Sequence, residues 1–396
     1  MSTPAPVLGD DDRLHFDKLP PLSLYVHLPW CVRKCPYCDF NSYEARGALP
    51  DVEYVAALLR DLRGELAHAQ GRTIETIYFG GGTPSLFSSA AIARLLDGVR
   101  AEGSIAANAE VTLEANPGAV DTARFVSFRN AGVNRLSIGI QSFRDDKLRA
   151  LGRVHDAGEA EAAVATARAA GFANLNLDLM YGLPGDDVAG AVADLERAIA
   201  LAPEHLSWYQ LTLEPNTAFE RRPPTLPDDV VVAKIEEQGR ALLAAHGYER
   251  YEVSAYARRG RRSQHNLNYW QFGDYLGVGA GAHGKVTLPA AGEIARRAKT
   301  RNPRTYLQHA GSAAATSEER VATRPQAALE FLMNGLRVLD GAPVEMFEAR
   351  AGQPAAAIGA ARAAAIDRGW LCAEPDRLRA TPTGLEKLNK LLELFA

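Results

Sequence analysis

Six short apolar segments alternate with alanine-rich helical segments through the first half of the chain, and this alternation constrains the fold more than any other feature. The predicted strands are residues 24–28, 76–79, 110–114, 135–140, 175–180 and 205–211. The amphipathic segments between them are residues 52–69, 91–100, 122–131, 159–170 and 188–201. Repeated βα units of this size predict a parallel sheet. Because eight units close a full barrel, six predict an open, partial (βα)6 barrel.

The rest of the chain departs from this pattern. The predicted divisions are a flexible leader over residues 1–20, the barrel over 21–245, a connecting region over 246–320 and a C-terminal domain over 321–396. The stretch from about residue 215 to 310 is less regular. The last segment has the order helix, helix, short hairpin, helix, with Pro375-Asp376 at the turn. This order predicts a small, mainly helical, winged-helix-like domain.

Composition excludes several classes of function. The chain has 396 residues and a formal net charge of -4, so it lacks the positive field that attracts nucleic acid. Its acidic start lacks the apolar core of a signal peptide, and no stretch approaches the roughly 18 apolar residues of a membrane span. Four cysteines, three of them clustered, are typical of a reducing compartment. We therefore expect a cytoplasmic protein whose contact with a membrane, if any, is peripheral.

The clustered cysteines are Cys31, Cys35 and Cys38, in a C-x3-C-x2-C run. Three thiolates can hold three corners of a [4Fe–4S] cubane and leave one iron open. An open iron suits a chelating small molecule such as S-adenosylmethionine (SAM), and the spacing resembles the signature of the radical SAM superfamily. The alternative is a structural zinc site completed by His27, although zinc motifs usually comprise two separated pairs. Cys372 is expected to be an ordinary buried thiol.

Other motifs follow the predicted strands. The run Gly80-Gly81-Gly82-Thr83-Pro84 comes after the second strand, where glycines let a ligand approach the backbone closely. A tight βα turn without a ligand is the alternative. Glu114, Gln141 and Asp178 lie at or near the ends of later strands, and each alone is more often a cap or a surface group. Arg153 follows in Leu-Gly-Arg-Val-His. Because parallel barrels place their sites at this end of the strands, we expect one ring of polar groups.

These motifs together resemble one family. Tyr-Val-His-Leu-Pro-Trp-Cys, Cys-Pro-Tyr-Cys-Asp-Phe, Phe-Gly-Gly-Gly-Thr-Pro, Leu-Glu-Ala-Asn-Pro, Gly-Ile-Gln-Ser-Phe, Leu-Gly-Arg-Val-His and Asp-Leu-Met-Tyr-Gly-Leu-Pro occur in the order typical of the oxygen-independent coproporphyrinogen III dehydrogenase (oxidase) family. The resemblance implies that Cys31, Cys35 and Cys38 are cluster ligands. It also implies a set of SAM contacts, namely Tyr25, Tyr37, Gly81, Gly82, Thr83, Glu114, Gln141, Arg153 and Asp178.

Two features distinguish the chain from the dehydrogenases within that family. The dehydrogenases have a longer N-terminal region and a further cysteine two residues after the third ligand, where this chain has Phe40. Residues 264–270, Gln-His-Asn-Leu-Asn-Tyr-Trp, contain an H-N-x-x-Y-W motif. Both features resemble those of the HemW-type haem chaperones, which form another branch of that family. His265 is then a candidate haem ligand, with Tyr269 and Trp270 able to cover a macrocycle face. A solvated or capping histidine is the alternative.

An arginine-rich loop precedes that motif. Its members, Arg258, Arg259, Arg261 and Arg262, could pair with haem propionates. The alternative is a solvated basic loop.

The branch resemblance implies a haem chaperone that binds haem as cargo and passes it to respiratory haem proteins. The SAM-coordinating cluster would be a regulatory or assembly element, and a bacterioferritin-like protein is a candidate donor of haem or iron. Such a chaperone would lack coproporphyrinogen dehydrogenase activity. The alternative is a radical SAM enzyme that decarboxylates coproporphyrinogen III to protoporphyrinogen IX. A radical methyltransferase is a third possibility that nothing in the sequence demands.

Overall fold

A twelve-stranded sheet dominates the computed structural model, which describes residues 13–119 and 121–396. Its strands are β1 (Leu22–Leu28), β2 (Ile74–Gly81), β3 (Ile105–Ala115), β4 (Arg135–Gln141), β5 (Leu175–Tyr181), β6 (His205–Gln210), β7 (Glu249–Arg250), β8 (Ala255–Ala257), β9 (Asp274–Val278), β10 (His283–Leu288), β11 (Glu293–Lys299) and β12 (Thr316–Val321). Their order across the sheet is β12-β11-β10-β9-β1-β2-β3-β4-β5-β6-β8-β7.

Helices connect the strands of the sheet and build the C-terminal domain. They are α1 (Asp51–Glu65), α2 (Ser89–Glu102), α3 (Thr122–Ala131), α4 (Asp145–Ala150), α5 (Ala157–Ala169), α6 (Val188–Ala200), α7 (Ala218–Arg221), α8 (Asp229–Ala245), α9 (Gln264–Trp270), α10 (Pro303–His309), α11 (Arg324–Gly335), α12 (Val344–Ala351), α13 (Gly359–Asp367), α14 (Pro382–Glu386) and α15 (Leu388–Leu392). In the two ranges that the structure describes, no helix has the length and apolarity needed to cross a membrane.

The six predicted strands are confirmed as β1 to β6. They are neighbours in chain order, and each pair is parallel. In β1 every residue except Tyr25 is buried, which is typical of a strand covered on both faces in a parallel sheet. Helix α5 begins with a capping box, in which Asp156 and Glu159 satisfy each other's backbone N–H groups. The pattern of six βα units therefore gives the expected partial barrel.

The sheet continues beyond β1, where the sequence predicted a less regular stretch. Strand β9 pairs parallel to β1, and β10, β11 and β12 add on as antiparallel strands. The expectation was wrong over residues 274–299 because charged side chains hide the strand pattern. Asp274, Lys285 and Lys299 are all buried, since each is paired inside the fold.

The C-terminal domain has its own apolar core. Helices α11, α12 and α13 precede a hairpin in which Leu371 and Ala380 pair as antiparallel partners, and two short helices follow. The hairpin is confirmed, with one more helix on each side of it than the sequence predicted. Residues 1–12 of the predicted leader lie outside the described residues. Leu14 and Phe16 are buried in the C-terminal core.

Candidate functional site

The cysteine loop follows β1 directly. A two-residue ladder, Trp30–Cys31 with Tyr43–Glu44, closes the loop at its base. Within the loop, the Cys38 N–H donates to the Cys35 carbonyl at 3.1 Å. All three thiols of the motif are partly exposed and line one cavity. Burial raises the pKa of Cys31 and of Cys38, so in the absence of a bound cation these thiols stay protonated at neutral pH.

The glycine run packs against this loop at the end of β2. The Gly82 and Thr83 N–H groups donate to the carbonyls of Leu28 and Trp30, at 2.9 and 2.7 Å. A Cβ on Gly82 would lie 2.5 Å from the Trp30 oxygen, and Gly81 has a φ of +112° with the His27 ring 2.5 Å from its Cβ position. Both positions therefore require glycine, because a side chain at Gly81 would collide with His27 of β1 and one at Gly82 with the start of the cysteine loop.

A cavity of about 450 Å³ lies between the cysteine loop and the carboxyl ends of the parallel strands. It brings together most residues of the predicted site, namely Cys31, Cys35, Cys38, Tyr37, Gly81, Gly82, Thr83, Glu114, Gln141, Arg153 and Asp178. Tyr25 is the exception. Its hydroxyl bonds His27 Nδ1 at 2.9 Å, and its ring lines an adjoining depression rather than this cavity.

The carboxyl groups of Glu114 and Asp178 face the cavity, and neither forms an ion pair with a described residue. Tyr78 donates to Glu114 Oε1 at 2.8 Å and the Gly81 N–H to Oε2 at 3.3 Å. Burial raises the pKa of Glu114 to about 7, and nearby Asp178 adds to the effect. Burial also raises the pKa of Asp178, which accepts from Ser137 at 3.0 Å. A desolvated carboxyl of this kind favours a ligand that carries positive charge.

Arg153 and Gln141 complete the ring of polar groups. Arg153 Nη1 donates to Cys35 Sγ at 3.6 Å, and Nη2 donates to the Gly139 carbonyl at 2.6 Å. Gln141 ends β4 with a φ of +72°, a backbone region that non-glycine residues rarely adopt. Its Oε1 accepts from Tyr209 at 2.9 Å. The strained backbone is thus stabilised by a side-chain contact inside the cavity.

Sequence reasoning missed several lining residues. Tyr78, Ser137, Ser207 and Tyr209 all face the cavity. Ser207 and Tyr209 are two residues apart on β6, so their side chains point to the same face of the sheet. This spacing of polar residues near a strand end was the signal that could have found them.

These residues fit a three-thiolate [4Fe–4S] cluster with SAM beside it. Three thiols, the Glu114 and Asp178 carboxyls and a backbone strip without side chains surround one cavity, which suits a cluster and a ligand with ammonium and sulfonium groups. The zinc alternative lacks its fourth ligand, because His27 directs its nitrogens at the Tyr25 hydroxyl and the Asn41 carbonyl. Among the described residues, no three His, Cys, Asp or Glu side chains converge on a single metal position.

The H-N-x-x-Y-W motif forms α9, which packs behind the cavity. His265 is 1% exposed. Its Nδ1 bonds the Thr76 hydroxyl at 2.7 Å and its Nε2 the Tyr269 hydroxyl at 3.1 Å. Burial, with a contribution from Arg135, lowers the pKa of His265 to about 3. Ligation of haem by this neutral ring would require it to break one of these contacts and leave its buried position.

The other predicted groups lie apart from the cavity. Arg258 covers the Tyr248 ring at 4.6 Å, and Arg262 pairs with Asp340 at 2.9 Å. Arg259 and Arg261 are exposed. Cys372, expected to be buried, is partly exposed in the C-terminal domain.

A second depression opens beside the cavity, and we call it the lateral groove. It runs from Phe40 across Tyr269, Tyr275 and His283 to Met333, and it shares Phe40, Gly81 and Glu114 with the cavity. Tyr25 lines its inner part and Trp270 its outer part. The motif on α9 therefore contributes to the groove through Tyr269 and Trp270, and to the cavity through the His265–Tyr78 stack at 5.0 Å.

Comparison with known families agrees with this geometry. Residues 25–198 match the model of the radical SAM superfamily, and residues 322–386 match that of the HemN C-terminal domain. Among solved structures, coproporphyrinogen III oxidase (HemN) from Escherichia coli superposes with a TM-score of 0.79 and 23% identity, covering 95% of this chain and 90% of that one. The fold and the site together are those of a radical SAM protein.

Curated relatives narrow the assignment. The heme chaperone HemW of Escherichia coli (strain K12) is 53% identical over 378 residues, covering 96% of this chain and 99% of that protein. The heme chaperone HemW of Haemophilus influenzae is 48% identical over 382 residues, covering 96% and 98%. The mitochondrial radical S-adenosyl methionine domain-containing protein 1 of Mus musculus is 41% identical, covering 70% and 63%. The chain belongs to the HemW family of radical SAM proteins.

The raised pKa of Glu114 predicts that SAM affinity depends on pH. A cation favours the ionised carboxyl, so affinity should rise as pH increases through about 7. We expect about a tenfold gain between about pH 6 and about pH 8, as the ionised fraction increases. Isothermal titration calorimetry of the cluster-loaded protein measures the SAM affinity at each pH. Glu114→Gln, which cannot ionise, should bind weakly and lose this gain. Glu214→Gln, at another carboxyl of the cavity, should keep it. Equal pH profiles for the wild type and Glu114→Gln would contradict the prediction.

Proposed function

We propose that this protein is a haem chaperone, which binds haem and passes it to respiratory haem proteins, and that it carries a SAM-coordinating [4Fe–4S] cluster. The observation that carries the proposal is the 53% identity to a heme chaperone over nearly the whole of both chains. That similarity extends through the barrel, the lateral groove and the C-terminal domain. Likeness to HemN, at 23% identity, concerns the fold alone.

In this proposal the cavity residues hold the cofactors. Cys31, Cys35 and Cys38 hold the cluster, and a cluster of this kind with SAM bound supplies one-electron chemistry when it is reduced. Glu114 binds the ammonium group, and the Gly81–Gly82 backbone admits the methionine part. Tyr37, Thr83, Gln141, Arg153 and Asp178 are further proposed contacts, and Tyr25 supports them through His27.

The position of Phe40 favours a chaperone over a dehydrogenase. The side chain is 57% exposed and lines both the cavity and the lateral groove. The dehydrogenases resembled by this sequence have a further cysteine there. An exposed aromatic ring at that boundary offers a contact to an apolar ligand in the groove, and it offers no redox chemistry to the cavity.

The proposed partners follow from haem as cargo. The acceptors are respiratory haem proteins, which the chaperone would meet at the membrane surface, and a bacterioferritin-like protein is a possible donor of haem or iron. We place the protein in the cytoplasm, since the three thiols must stay reduced to hold iron.

The test compares haem binding with turnover in one preparation. The anaerobically reconstituted protein is titrated with haemin, then mixed with a haem-free respiratory cytochrome. Separately, it is incubated with SAM, a reductant and coproporphyrinogen III. We expect stoichiometric haem binding, transfer to the cytochrome, and no protoporphyrinogen. Formation of protoporphyrinogen, or absence of haem binding by a preparation shown to hold its cluster, would overturn the proposal.

A further inference from the structure

The lateral groove has the size of a site for a large planar ligand. Its inner and outer parts have volumes of about 580 and 510 Å³. Both parts are lined by Tyr275, His283, Ala298 and Glu318, so they form one continuous depression. Sites for cofactor-sized ligands are typically clefts of roughly 300–1,000 Å³.

The register of the antiparallel strands determines the floor of the groove. His283 pairs with Ala298, which pairs with Glu318. Directly opposed residues of neighbouring strands point to the same face of a sheet. His283 therefore stands on the floor, where the inner and outer parts meet.

His283 differs from the other histidines near the site. Its side chain is exposed and has no hydrogen-bond partner among the described residues. His27 and His265 each use both ring nitrogens inside the fold. Desolvation by the groove walls lowers the pKa of His283 below its ordinary value; Glu318 opposes this effect, while Arg301 and Arg296 add to it. Its imidazole is thus neutral at pH 7, the form that binds iron.

Aromatic and apolar side chains line the groove on both sides of this histidine. Tyr269 meets Tyr275 edge-to-face, with ring centroids 4.6 Å apart. Phe40 and Met333, at the two ends of the groove, are 57% and 50% exposed. Few large apolar side chains of the described chain are so exposed, and a flat apolar ligand in the groove would cover both of these.

Arginines concentrate in the outer part. Arg296 and Arg320 share Glu330, with contacts of 2.8 and 2.9 Å. Arg337 pairs with Glu252 at 3.1 Å and covers the Trp270 ring at 4.5 Å. The side chains of Arg320 and Arg337 are 42% and 29% exposed, so a ligand in the groove can reach their guanidinium groups. Guanidinium groups suit the carboxylates of a bound ligand.

We propose that the lateral groove binds one haem, with His283 as the protein ligand to iron and the propionates directed at Arg320 and Arg337. This assignment rests on the proposed function, because it takes haem to be the cargo. It moves the axial ligand from His265 on α9 to His283 on β10. It also positions the porphyrin beside the SAM cavity, since Phe40, Gly81 and Glu114 line both.

The test is haemin titration of the reconstituted full chain, followed by the Soret band and by electron paramagnetic resonance. The variants are His283→Ala and the matched control His309→Ala, an exposed histidine on α10 that lies away from the groove. We expect His283→Ala to bind haem about tenfold or more weakly and to lose the histidine-ligated spectrum, and added imidazole to restore that spectrum. Haem dimethyl ester, which lacks the carboxylates, should also bind about tenfold more weakly to the wild type.

The outcomes separate the two proposals. A wild type that binds no stoichiometric haem overturns the proposed function. A wild type that binds haem, with His283→Ala unchanged in affinity and spectrum, overturns the groove assignment alone. The same holds if His265→Gln, in a preparation that remains folded, removes the histidine-ligated spectrum while His283→Ala keeps it.

Discussion

Replacing Cys38 with alanine is expected to remove nearly all cluster iron and sulfide from the protein after anaerobic reconstitution. Two remaining thiolates cannot hold three corners of a cubane, and the cavity offers no nearby cysteine in the described chain to replace the third. The fold should survive. The Cys38 thiol is partly exposed, and its contact with Ser42 Oγ, at 3.8 Å, is long and weak. Iron and sulfide content and visible absorbance measure the loss, and circular dichroism checks the fold.

The matched control for this variant is Cys372→Ala. Cys372 is also a partly exposed free thiol, but it lies in the C-terminal domain beside Arg379. This control should keep the full complement of iron and sulfide. If Cys38→Ala retained that complement as well, the assignment of the three cluster ligands would be wrong.

Replacing Asp274 with asparagine is expected to lower the free energy of unfolding by about 3–5 kcal/mol, the usual effect of breaking a buried ion pair. Asp274 is 0% exposed and lies at the start of β9. Its two oxygens accept from Lys285 at 2.8 Å, Arg72 at 2.7 Å and Thr287 at 2.8 and 2.9 Å. Without the carboxylate, the ammonium of Lys285 stays buried and uncompensated. Urea denaturation measures the loss.

An exposed ion pair supplies the control for Asp274. Asp340 pairs with Arg262 at 2.9 Å, and its side chain is 64% exposed. Surface pairs contribute about 0–1 kcal/mol, so Asp340→Asn should have little effect. Equal losses in the two variants would show that burial of the Asp274 pair is not what stabilises this edge of the sheet.

The same carboxylate predicts sensitivity to acid. Burial alone would raise the pKa of Asp274, but Lys285 and Arg72 outweigh it and hold the pKa below its ordinary value of 3.8. A carboxyl with a lowered folded pKa contributes stability above that ordinary value and loses the contribution as pH falls through the folded pKa. The stability difference between the wild type and Asp274→Asn should therefore shrink in strong acid.

The sequence determined the central barrel and the chemistry of the cavity. Apolar strands alternate with helices in β1 to β6 because each parallel strand is buried on both faces, and that requirement is local and visible. The three thiols of one loop are close in sequence, so their shared cavity was also predictable. Gly81 and Gly82 were predicted from their place at a strand end, where glycines let a ligand approach the backbone, and the structure adds that a Cβ at either position would collide with β1 or the loop after it.

Only the tertiary structure decided the edge beyond β1 and the environment of each histidine. Strands β9 to β11 carry Asp274, Lys285 and Lys299, whose partners are distant in sequence, as the contact between Lys299 and Asp61 at 2.6 Å shows. A charged residue looks solvated until its partner is located. For the same reason, His265 lies buried with both nitrogens bonded, while His283, which no motif distinguished, faces an open groove. Exposure depends on which strands become neighbours, and the pairing of β9 with β1 joins segments about 250 residues apart.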